Sequence, residues 1–182
     1  MLAVVFFVSI MVHELGHAVA AKAFGLGPIR LVIHGFGGLT SFGVSPTHKQ
    51  GVLVSLAGPI AGILLACLSA LIGLMLASLG GFGFATPEYG GHFLLVYTIS
   101  MMIQVNIFWS LFNLLPIFPL DGGQVMWHGL AMVMPSAVAR RRTKQVSIAI
   151  SAIVGVAALI AGQIFIALIC LFAFSQNKGI RG

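Results

Sequence analysis

His13, Glu14 and His17 stand in the order His-Glu-Leu-Gly-His near the start of the chain. Two imidazoles four residues apart fall on one face of a helix and can grip a single zinc ion. The glutamate between them can accept a proton from a water held at that metal. The segment around them, Leu2 to Ala21, otherwise reads as a membrane span. A charged carboxylate in hydrocarbon is costly, so an ionisable group there points to function. The chain has only three acidic residues, Glu14, Glu88 and Asp121. With Glu14 as the base, Asp121 is the natural candidate for a third metal ligand.

A second constellation surrounds that aspartate: Asn113-Leu-Leu-Pro-Ile-Phe-Pro-Leu-Asp121-Gly-Gly. Pro116 and Pro119 each remove a helix hydrogen bond. Gly122 and Gly123 allow the backbone to bend and to approach other groups closely. Broken backbone at membrane depth is tolerated only where it is buried in protein or lines a wet cavity. Two histidines and one carboxylate leave the fourth tetrahedral position open, which is the catalytic pattern of zinc sites. Asp121 could instead cap the helix that follows, or do both.

Together these stretches resemble the site-2 protease family of intramembrane zinc metalloproteases. That family pairs H-E-x-x-H on one span with N-x-x-P-x-x-x-L-D-G on a later one, matched here at Asn113, Pro116, Leu120, Asp121 and Gly122. Gly58-Pro59-Ile60-Ala61-Gly62 is similar to a third signature on the span between, although Gly62 stands where members often have asparagine. The resemblance covers about Leu2 to Met134. It implies one zinc per chain held by His13, His17 and Asp121, with Glu14 as general base. It implies that Asn113 lies near the scissile carbonyl, as substrate binder or oxyanion donor; interhelical hydrogen bonding is the alternative role. It further implies hydrolysis of a peptide bond in or near a transmembrane segment of a membrane-protein substrate. The chain is expected to be a minimal form without PDZ or nucleotide-binding CBS domains.

Composition sets the frame that must position these groups. Of 182 residues, 59% are hydrophobic and 7% charged, against roughly 25% charged in a soluble domain. An all-α integral membrane protein is expected, partnered by the bilayer and not by nucleic acid. Apolar runs mark four spans: Leu2–Phe24, Val52–Leu79, Phe93–Leu115 and Val146–Phe174. The third is broken at the metal site, and Gln124–Met134 is expected to continue it. A Gly-rich stretch from Gly27 to Gly43 reads as a small β-hairpin after the first span. Its edge could receive an unwound substrate strand. The expectation is a single protease domain over 1–182, with the metal-binding core at 2–134 and an additional transmembrane helix at 146–174. The first span lacks a basic leader and a cleavage site, so it reads as mature structure.

Lys22, Arg30 and Lys49 follow the first span, and Arg140, Arg141, Arg142 and Lys144 precede the fourth. The loop Gly80 to Gly91 has no Lys or Arg. Positive-inside counting puts the two basic loops in the cytoplasm, and the middle loop and both termini outside. A prokaryotic cell membrane, with the active site nearer its cytoplasmic side, is the expected location. Cys67 and Cys170 read as small buried hydrophobes. His48 and His92 are expected to be solvated, and His128 to pack; for His34 a role near the site and a local hydrogen bond both stand. Two rival functions carry different tests. A non-catalytic zinc-binding membrane adaptor would hold zinc and cleave nothing, and a metal transporter would carry zinc across a liposome.

Overall fold

The computed structural model describes residues 1–34, 37–78 and 90–178, with backbone alone for 29–34, 37–42 and 90–93. The elements run α1 (Leu2–Ala23), β1 (Ile29–His34), β2 (Gly37–Phe42), α2 (His48–Ser78), α3 (Gly90–Asn113), α4 (Asp121–Leu130), α5 (Ser136–Ile160) and α6 (Ile164–Lys178). The architecture is helical. Among the described residues, four helices are long and apolar enough to cross a membrane: α1, α2, Leu94–Asn113 of α3, and α5. They form two compact units, Met1–Gly43 with Ala57–Phe112, and Val44–Leu56 with Asn113–Gly182.

In the first unit, α1 has 22 residues, about 33 Å at 1.5 Å per residue, enough for a hydrocarbon core of about 30 Å. Its buried residues include Val5, Ser9, His13, His17 and Ala21, one every fourth position. That spacing makes a single buried face. Gly16 lies against the backbone of Ala57 and the methyl of Ala61, so α1 and α2 meet backbone to backbone through small residues. Asn106 of α3 donates its side-chain amide to Ser9 Oγ at 2.9 Å, fastening α3 to the same face of α1. β1 and β2 pair antiparallel from Ile29↔Phe42 to His34↔Gly37 and pack on α1.

In the second unit, residues 114–120 form the break between α3 and α4. Gly122 and Gly123 lie directly on the backbone of Leu114, Leu115, Ile117 and Phe118, where a side chain could not fit. The irregular backbone is satisfied by side chains from the last two helices. Phe118 N–H donates to Ser147 Oγ at 2.9 Å, and its carbonyl accepts from Asn177 Nδ2 at 2.8 Å.

Three expectations are corrected here. The span expected at Val146–Phe174 is two helices. Gly162, at φ +71°, ends α5. Gln163 N–H returns to Ala158 O at 2.8 Å and Gly162 N–H to Leu159 O at 3.1 Å, the paired bonds of a Schellman cap. The α6 helix then packs back along α5. The basic loop expected at Pro135 to Gln145 is helical from Ser136, because its Ala and Arg residues are strong helix formers. The segment expected to continue the third span is a separate helix of 10 residues that begins at Asp121 itself. Of the outer loop expected at Gly80 to Gly91, residues 80–89 lie outside the described residues, and Gly90 and Gly91 begin α3.

Candidate metal centre

Helical spacing on α1 brings the Nε2 atoms of His13 and His17 to 3.2 Å from one another. Two nitrogens each about 2.0–2.1 Å from a tetrahedral zinc would stand roughly 3.3 Å apart. The observed separation therefore fits joint ligation. One ligand atom from each of His13, Glu14 and His17 can be chosen so that all lie within 4.8 Å of one another. The three side chains are 4%, 6% and 7% exposed. At that burial a site holds its groups away from bulk water, where charge interactions are strongest.

The rings have room because of one glycine. A Cβ on Gly58 of α2 would collide with His17 Nε2 and Cε1 and would lie 2.9 Å from His13 Nε2. The Gly-Pro step at 58–59 thus does more than close packing: it leaves the space in front of both imidazoles.

Asp121 is the first residue of α4 and is half-buried. The N-cap is Leu120, which makes no side-chain cap bond, so Asp121 sits one position inside the helix. A carboxylate there is still favoured by the helix dipole. Asn113 is the last residue of α3 and is buried. Asn106 departs from expectation. It lies seven residues, about two turns, before Asn113, so the two amides share a helix face, and a polar stripe on a span is expected to line a substrate groove. Instead its amide is committed to Ser9 Oγ and to Met102 O at 2.8 Å, and it is 1% exposed. A buried amide must find partners, and Asn106 finds them in the helix interface.

Ser9 is a buried polar residue that the motifs did not flag, though its place four residues before His13, on the same face of α1, could have revealed it. Ser147 and Asn177 left no sequence signal, because their partner is a backbone unit. His48 is only partly solvated, because it also has side-chain partners. It begins α2, half-buried, with Nδ1 at 3.1 Å from His128 Nδ1 and Nε2 at 2.9 Å from Ser136 Oγ. His128 is buried against Gly51. Burial pushes its imidazole below the usual histidine range, and neighbouring His48 adds to the effect. The side chains of His34 and His92 lie outside the described residues.

Comparison with known proteins follows the same residues. Residues 1–162 match the model of peptidase family M50. Rip3 of Mycobacterium tuberculosis, which bears the name of a zinc metalloprotease, is 29% identical over 185 residues, covering 97% of this chain and 44% of Rip3. YwhC of Bacillus subtilis, also named as a zinc metalloprotease, is 30% identical over 150 residues, covering 69% of this chain and 67% of YwhC. The chain thus spans less than half the length of Rip3. The solved structure of a site-2 protease from Methanocaldococcus jannaschii aligns with a TM-score of 0.66 at 22% identity, over 97% of this chain and 75% of that one. That likeness is one of fold.

Proposed function

Because the chain belongs to peptidase family M50, the site-2 protease family, we propose that it is a multi-pass intramembrane zinc metalloendopeptidase. Its substrate is a membrane protein, cut in or near a transmembrane segment from the cytoplasmic side of a prokaryotic membrane. The observation that carries the reading is the buried pair of facing imidazole nitrogens on a span, with a carboxylate beside them.

His13 and His17 would hold the zinc through Nε2. Asp121 is the third ligand in this reading, on the strength of the sequence pattern around it. A bound zinc supplies Lewis acidity and lowers the pKa of a water it holds to about 7. Glu14 accepts the proton of the attacking water and returns it to the leaving amine. Asn113 donates to the scissile carbonyl as its oxygen gains charge. A helical substrate hides its carbonyls in hydrogen bonds, so the cleaved segment must unwind, and the edge of the β1–β2 ribbon offers it a strand partner.

The test is Glu14→Gln. The variant should keep zinc and lose about two to four decades of turnover, the range of general-base contributions. Near-parental cleavage of a membrane substrate would remove Glu14 from the role of base. The adaptor and the transporter are not favoured, since neither has use for Glu14 beside the two histidines.

A further inference from the structure

A cavity of about 430 Å³ opens in the second unit between the break, α4, α5 and α6. Arg140, Lys144, Gln124 and Gln176 bring hydrogen-bond donors to its wall, and Trp127 and Phe172 bring apolar surface. No acidic residue lines it among the described residues. Arg140 and Lys144 are four apart on α5, so both cations project from one helix face. The Arg140 guanidinium lies 5.7 Å from the Trp127 ring centroid, a cation–π contact that steadies it. The next turn of α5 begins the apolar stretch of the hairpin, so the cavity sits where hydrocarbon gives way to headgroups. Two cations, amide donors and an aromatic wall at that depth suit a phosphate whose other end is apolar.

We propose that this cavity is a phosphate-binding site, taking either the headgroup of an anionic phospholipid or a free phosphate compound. The occupant touches Phe118 and Pro119, which lie three and two residues ahead of Asp121. On the reading that Asp121 is a metal ligand, occupancy therefore bears on the segment that presents it.

The test uses the full chain in nanodiscs of phosphatidylcholine doped with phosphatidylglycerol. Native mass spectrometry counts the retained phosphatidylglycerol, and titration with inorganic phosphate in detergent forms the second arm. The paired substitution Arg140→Gln with Lys144→Gln is compared with Arg141→Gln with Arg142→Gln. Both remove two charges, but only the first pair lines the cavity. The first should weaken phosphatidylglycerol retention by about 30-fold, from two contacts of about 1 kcal/mol each near the surface, while the second retains it. Inorganic phosphate binding that is lost only in the first variant, with no lipid preference, would assign the site to a soluble phosphate compound. Equal behaviour of the two variants in both arms would overturn the site, since surface charge alone would then explain retention. Zinc content of each variant checks its fold. No arm reads proteolysis, so the outcome is separate from that of the protease assignment.

Discussion

Glu14, His13 and His17 were legible because their chemistry is local: three side chains within two turns of one helix. Gly58 shows what locality leaves out. Its role comes from the rings it faces, which belong to a different helix. Gly58→Ala should therefore strip zinc, because the new methyl would occupy the space in front of both Nε2 atoms. Gly62→Ala should not, since the group it would meet is the hydroxyl of Ser110, which can rotate away. Zinc content of the two purified variants decides, and parental zinc at Gly58→Ala would place the metal elsewhere. The two asparagines divide differently from their spacing. Asn113→Leu should keep zinc and lower turnover by about 10²–10³-fold, the effect of removing one oxyanion donor. Asn106→Leu should instead loosen α3 from α1 by about 0.6–1.7 kcal/mol, the range for interhelical hydrogen bonds in membranes. Unfolding of the Asn106 variant beside cleavage kinetics of both separates the roles. Unchanged turnover in Asn113→Leu would return that residue to packing.

Among the elements, the spans of α1, α2 and α3 followed from apolar runs, and the break from its prolines. The α5–α6 hairpin did not. Its stop signal, Gly162, is followed by Gln163 in an otherwise apolar stretch, and glycine is common inside membrane helices. Around the turn, the N–H groups of residues 161 to 164 all find backbone acceptors. Ile160 and Ile164 on either side are 84% and 67% exposed. Apart from the exposed Gln163 the turn is apolar, and its backbone N–H groups are satisfied within the hairpin, as a membrane-embedded backbone requires. The hairpin also brings the end of α6 back to the side where α5 begins. On this arrangement Lys178 is predicted to lie on the same side of the membrane as the basic residues at 140 to 144, opposite to the side expected for the end of the chain. With Cys67 and Cys170 replaced, cysteines at Arg142 and Lys178 should react with an impermeant reagent from the same face of sealed vesicles, and one at Thr86 from the other. Labelling of positions 142 and 178 from opposite faces would sink the hairpin assignment.

For the whole molecule, three acids among nine Lys and Arg residues leave electrostatics to topology and to the few buried titratable groups. Composition made the membrane class legible, while the placement of individual histidines was not. His128 joins α4 to the start of α2 through His48, a contact between residues 80 positions apart. No pattern in either segment announces it. Folding lowers the His128 pKa below its ordinary 6.5, chiefly by burial. The unfolded chain then binds the proton more tightly, so stability is full above about pH 6.5 and declines as the pH falls below it. Thermal unfolding across this range should show that decline in the parent, and His128→Gln should flatten it. A parental slope retained in the variant would assign the acid sensitivity to other groups.

The two hydrogen bonds that hold Phe118 also set a schedule. Its carbonyl waits for Asn177, 59 residues further along the chain. At roughly 5–20 residues per second, a ribosome needs roughly 3–12 seconds to supply that partner. During this interval the turn before Asp121 lacks one of its anchors, although both histidines are already in the membrane. The turn that leads into Asp121 is thus among the last parts of the chain to be tied down, and it gains its second anchor only when α6 has been made.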